Sequence, residues 1–142
     1  MDLYQQLIIE HSKRPHGEGL RAPFGAEAHH VNPTCGDEIT LRVQVEGDQV
    51  ADVSYDAAGC SISRASASVL HDLVVGRPVE EVGPLREAVQ QMLTSRGADP
   101  GDEDVLGDAV ALAGVAKYPA RVKCALLSWS ALADALLRTP AA

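Results

Sequence analysis

At 142 residues and 46% hydrophobic content, the chain is long enough to bury a core without disulfide staples, and it reads as one domain over 1–142. A formal charge of -8 argues against non-specific binding to nucleic acid or anionic membrane, since both need a basic face against phosphate. The three cysteines are too few and too odd for a disulfide framework, which leaves metal binding or thiol chemistry in a reducing compartment.

Residues 2–13 read as an opening helix with Leu3, Leu7 and Ile8 at helical spacing, ended by Arg14-Pro15-His16-Gly17. The start has neither the basic residues nor the apolar run of a signal peptide, and no stretch is long enough to span a bilayer, so a cytoplasmic address is expected. After a loop through Pro23, residues 27–31 fit a strand. Ile39, Leu41, Val43 and Val45 then alternate with polar residues, the period of a strand with one buried face. Gly47-Asp48 fits a hairpin turn, and Val53, Tyr55 and Ala57 alternate beyond it as an antiparallel partner. The three strands form a small meander, with Cys35 and Asp37 on the turn into its middle strand.

From Ser61 the pattern becomes helical, with Ile62, Ala65, Val69 and Leu73 on one stripe and Gly76-Arg77-Pro78 as the stop. A second helix near Pro84 buries Leu85, Val89, Met92 and Leu93. Residues 97–104 are acidic and rich in turn formers, and their glycine and glutamate are out of place for a calcium loop, so they read as a solvated surface loop. Residues 106–115 read as helical. Val122, Ala125, Leu126, Trp129, Leu132, Ala133 and Leu136 recur at three- and four-residue steps, marking a long amphipathic helix from about Pro119. Trp129 should be the bulky anchor of a core otherwise built from small aliphatics. The class is α+β, a three-stranded antiparallel sheet with about five helices beside it.

All three thiols fall at element ends. Cys35 closes a Pro33-Thr34 turn, Cys60 follows Gly59 just before a helix, and Cys124 lies in the first turns of the last one. A helix N-terminus favours thiolate over thiol, which matters most for Cys60. Asp37 is two residues beyond Cys35, so the two side chains can point to one side. Three sulfurs and a carboxylate match the four ligands of tetrahedral zinc, and thiolate-rich ligation also suits iron-sulfur clusters. Each cysteine alone is as readily a small buried hydrophobe and Asp37 a turn former, and no Cys-x-x-Cys pair sharpens the signal. The five histidines read as non-ligands: His29 and His30 point to opposite faces of a strand, and His11, His16 and His71 sit on exposed helical or loop positions.

Three local sequences go further. Residues 32–37 (Asn-Pro-Thr-Cys-Gly-Asp), 59–68 (Gly-Cys-Ser-Ile-Ser-Arg-Ala-Ser-Ala-Ser) and 118–129 (Tyr-Pro-Ala-Arg-Val-Lys-Cys-Ala-Leu-Leu-Ser-Trp) resemble, in wording and order, the three cysteine motifs of the IscU-like (NifU N-terminal-like) iron-sulfur assembly proteins. Lys123 stands where cluster scaffolds carry a histidine, and a charged lysine cannot ligate iron. Residues 118–123 also differ from the Leu-Pro-Pro-Val-Lys segment that a chaperone recognises in the scaffold branch. These departures, and the long stretch between Cys60 and Cys124, are similar to the SufU branch.

That resemblance implies zinc held by Cys35, Asp37, Cys60 and Cys124, with an iron-sulfur cluster at the same ligands as the alternative. It implies a SufS-type cysteine desulfurase as partner, which supplies a histidine to the zinc and frees Cys35 to accept persulfide sulfur for a downstream cluster-assembly complex. Arg121, one turn before Cys124, would stabilise the freed thiolate or dock the partner, and Lys123 would offset local negative charge.

Overall fold

A computed structural model describes residues 3–33 and 36–139. Helix α1 (Leu3–Lys13) leads into a sheet of β1 (Ala26–Asn32), β2 (Asp37–Glu46) and β3 (Gln49–Ala58). The order is β1-β2-β3 and both pairings are antiparallel. Helices α2 (Ser61–Val74), α3 (Val82–Thr94), α4 (Glu103–Leu106) and α5 (Pro119–Arg138) follow, with a 3-10 turn at Val79–Glu81 and a 3-10 segment at Gly107–Lys117. This is the expected α+β architecture. Among the described residues no helix is long and apolar enough to cross a membrane.

The alternation in β2 decides which face is covered. Ile39, Leu41 and Val43 are fully buried, and the same parity places Ala26 and Ala28 of β1 and Val53 and Tyr55 of β3 in the core. A register shift at Gln44/Val45 adds a residue to β3, so Val50 also turns inward although its spacing from Val53 is odd. Helices α2 and α5 pack on this face. On the outer face Arg42 pairs with Glu27 at 2.8 Å and stacks over the Phe24 ring at 4.1 Å.

Several helical faces are broader or turned from the expected stripe. In α2 Ser63, Ser66 and Ser68 are buried with Ala65, Ala67, Val69 and Leu70, while Ile62 and Leu73 are only partly covered. Small side chains let neighbouring helices close in, and Ser66 Oγ donates to the Ala125 carbonyl at 2.6 Å, which satisfies its hydroxyl. In α1 the buried residues are His11 and Ser12, and Leu3 stands exposed. The reading of His11 as exposed is therefore corrected: a polar side chain with internal partners faces the core where an apolar stripe was expected. In α3 Leu85, Val89, Met92 and Leu93 are buried as expected.

Residues 107–115, expected as helix, belong to the 3-10 segment, and α4 starts at Glu103, inside the stretch expected as a surface loop. Asp102 caps α4 by accepting from the Asp104 N–H at 3.0 Å, and Gly107, at φ +51, ends it before the 3-10 run. Trp129 is fully buried, as expected of an anchor. Trp129→Ala is expected to cost about 3–5 kcal/mol through the cavity it leaves, read as a lower denaturant midpoint.

Candidate metal centre

The inner face of the sheet carries its parity to its end. Asp37 opens β2 on the same side as Ile39 and Leu41 and is 1% exposed, opposite Asn32, the last residue of β1. The short loop between them includes Gly36, whose φ of +71 suits glycine and whose N–H donates to the Asn32 carbonyl at 2.9 Å. Two helix N-termini meet this end of the sheet. Cys60 is the residue before α2, in extended conformation, and Cys124 lies in the first turns of α5, where Pro119 sets the entry.

These elements bring Asp37, Cys60 and Cys124 together, with one ligand atom of each within 4.8 Å of the others. The Asp37 carboxylate accepts from the Cys60 N–H through Oδ1 at 2.9 Å, and its Oδ2 lies 3.5 Å from Cys60 Sγ. Cys124 is fully buried, whereas Cys60 is partly exposed. Cys35 lies outside the described residues, and along the chain it is two positions from Asp37.

The donor set fits a thiophilic divalent ion. Two sulfurs and an acidic oxygen converge from three separate elements, and a buried carboxylate beside two thiols is costly unless hydrogen bonds or a cation compensate it. The cradle is also shaped for this approach. A Cβ built on Gly59 would collide with the Asp37 carboxylate, and its φ of +154 disfavours a side chain as well. Gly59→Ala is thus expected to push Asp37 aside at a cost of about 1–3 kcal/mol. Faster exchange of the Cys60 amide proton, measured by NMR, would report the lost hydrogen bond.

Asn32 is a site residue that spacing did not single out. Its Nδ2 donates to Cys124 Sγ at 3.8 Å in a buried setting, the kind of outer contact that orients a thiolate ligand. The available signal was parity, since Asn32 faces Asp37 across the β1–β2 pair. Arg121 stands exposed at the start of α5, and among the described residues its guanidinium makes no hydrogen bond or ion pair. Lys123 is exposed as well. His29 and His30 diverge as expected, His29 to Thr40 and Glu38, His30 to Asp134 at 3.0 Å. The hydrogen bond from His30 holds the Asp134 carboxyl below its ordinary range.

Residues 3–125 match the family model described as the NifU-like N-terminal domain. The chain belongs to that family, the IscU-like iron-sulfur cluster assembly proteins with their SufU branch. It is 41% identical over 138 residues to the iron-sulfur cluster assembly scaffold protein IscU of Streptococcus pyogenes, covering 96% of this chain and 84% of that one. It is also 41% identical over 131 residues to the zinc-dependent sulfurtransferase SufU of Bacillus subtilis, covering 92% and 86%. Among solved structures, a Fervidobacterium islandicum protein described as a cluster assembly scaffold for the SUF system superposes with a TM-score of 0.81 at 33% identity, covering 92% and 94%. Membership places the chain in iron-sulfur cluster assembly. The motif resemblance and the pattern-based fold thus point to the same family.

Proposed function

We propose that the 142 residues act as one unit, a zinc-dependent sulfurtransferase that takes persulfide sulfur from a SufS-type cysteine desulfurase and passes it to a downstream cluster-assembly complex in the cytoplasm. The observation that carries this reading is the convergence of Asp37, Cys60 and Cys124 within 4.8 Å at the sheet end that Cys35 adjoins in sequence. Cys35, Asp37, Cys60 and Cys124 would hold the zinc, which has no redox chemistry of its own and would keep the thiols deprotonated at neutral pH.

The chemistry then belongs to Cys35. Its thiolate attacks the terminal sulfur of the desulfurase cysteine persulfide, a new S–S bond forms on Cys35, and the desulfurase cysteine leaves as thiolate. No net oxidation occurs and no proton need be consumed. Asp37 and Asn32 orient the other thiols, and buried Cys124 anchors the centre against α5. Arg121, exposed three residues before Cys124, offers a cation to the reacting sulfur anions or to the partner.

A docking face is at hand. A groove of about 350 Å³ beside the start of α2 is lined by Tyr4, Ile8, Ile62, Val115 and Tyr118, and Tyr118 is 62% exposed. Exposed aromatics along an apolar groove suit a protein partner.

A second reading has its own support. The Streptococcus pyogenes relative bearing the scaffold name matches as well as the sulfurtransferase does, and the same ligands could carry an iron-sulfur cluster as cargo. Lys123, in place of a potential ligand, favours the first reading. Metal analysis of the purified chain, joined to mass spectrometry after incubation with desulfurase and cysteine, decides between them. About one zinc per chain and a gain of one sulfur on the Cys35 peptide support the relay; iron with thiolate-to-iron absorption and no persulfide on Cys35 supports the scaffold.

A further inference from the structure

The geometry points to a second cation site, built from His11, His16 and Asp72 and taking a divalent first-row transition ion. One ligand atom from each lies within 4.8 Å of the others. Ser68 sits eight residues after Cys60 on α2, about 12 Å further along the helix axis, so this cluster is separate from the thiol centre and does not depend on it.

The cluster is built rather than merely crowded. His11 is 5% exposed, and both of its ring nitrogens are engaged: Nδ1 lies 2.7 Å from Ser68 Oγ, and Nε2 lies 2.9 Å from Asp108 Oδ2. An ion would displace the partner of one nitrogen, and the hydrogen bond left on the other would fix the ring, as outer partners of metal-bound histidines do. The loop carrying His16 is pinned at both backbone groups. Its N–H donates to Ser68 Oγ at 2.8 Å, and its carbonyl accepts from the Tyr55 hydroxyl at 2.6 Å. The adjacent Gly17, at φ +83, lies against the His71 ring so closely that no Cβ would fit. His16 Nδ1 is thereby held 2.7 Å from Asp72 Oδ2, with the two histidine rings 4.9 Å apart.

Donors bound to one tetrahedral ion at about 2.0–2.1 Å stand about 3.3 Å from each other. His16 Nδ1 and Asp72 Oδ2 stand closer than that, at 2.7 Å, and a nitrogen of His11 lies within 4.8 Å of both, so modest side-chain rotations would close the set. A cavity of about 580 Å³ borders the two histidines on the side of Glu10 and Asp108, away from Asp72, with Lys13 and Arg14 also on its wall. Two imidazoles and a carboxylate select a zinc- or iron(II)-class ion over calcium or magnesium, which prefer all-oxygen sites. The chain would then carry two metal positions of different hardness, one rich in sulfur and one made of nitrogen and oxygen.

Cobalt(II) titration of the full chain, followed by absorption, tests the site because thiolate-bound cobalt shows intense near-ultraviolet charge transfer and nitrogen-oxygen sites do not. The expected result is an equivalent of cobalt that adds only weak visible bands, persists in Cys60→Ser, and binds at least about tenfold more weakly in both His16→Gln and Asp72→Asn. His16 and Asp72 are exposed, so both variants should keep the fold, checked by circular dichroism. If all bound cobalt brings charge transfer, or either variant weakens the second class by less than tenfold, the histidines and Asp72 form hydrogen bonds only and the proposal falls. Absence of charge transfer in the unaltered chain would instead count against the thiol centre.

Discussion

Cys35→Ser is expected to reduce desulfurase-dependent sulfur transfer to the level of the desulfurase alone, while far-UV circular dichroism stays unchanged. The swap keeps size and shape but replaces sulfur with a hydroxyl that is not ionised at neutral pH. Only a thiolate attacks a persulfide at a useful rate. Asp37, Cys60 and Cys124 would still offer three converging donors, so loss of activity need not mean loss of metal. Measuring zinc content beside turnover separates the two roles. If the serine variant turns over at full rate, Cys35 is not the acceptor and the relay proposal fails. Arg121→Ala should give a smaller loss, weighted toward KM if the guanidinium mainly docks the partner and toward kcat if it meets the reacting sulfur.

Cys124→Ala should act in the opposite way, on metal and stability together. Its side chain is fully buried between Asn32 and the first turns of α5, so its removal deletes a donor and leaves a cavity next to a buried carboxylate. A ligand that binds only the folded state at 1,000 times its Kd stabilises by about 4 kcal/mol. For a chain of this length that corresponds to a Tm loss of roughly 10 °C or more once binding is abolished. A strong chelator should lower the Tm of the unaltered chain by a similar amount and have little effect on Cys124→Ala. A variant that keeps its zinc and its chelator response would remove Cys124 from the ligand set.

How much of this was legible in the sequence differs from element to element. The β2 alternation and the α3 stripe were readable because the buried positions there are filled by apolar side chains at the regular period, Ile39, Leu41 and Val43 in one and Leu85, Val89, Met92 and Leu93 in the other. The Gly47-Asp48 turn was readable because glycine marks it. In α1 and α2 the apolar stripe gave only part of the buried face, because polar residues with internal partners share it. His11 lies between Ser68 and Asp108, and the α2 serines are buried where close approach to α5 matters more than apolar content. The split near Gly107 was also hidden, since the buried residues 109–112 suit a helix whether or not its backbone is regular. The thiol centre was visible chiefly through the wording of its motifs. Spacing could not bring together residues from a strand start and two helix starts, and only strand parity pointed to Asn32.

That dispersal bears on how the protein is made. Asp37 and Cys60 emerge early during synthesis and can meet once the sheet forms, but Cys124 follows 64 positions after Cys60 and arrives only with α5. A nascent chain lacking α5 offers an incomplete set of donors, open on the side that the helix later covers. If these donors hold an ion, its tight capture would await the final helix, and the unfinished polypeptide would not be locked early around a metal at the ribosome.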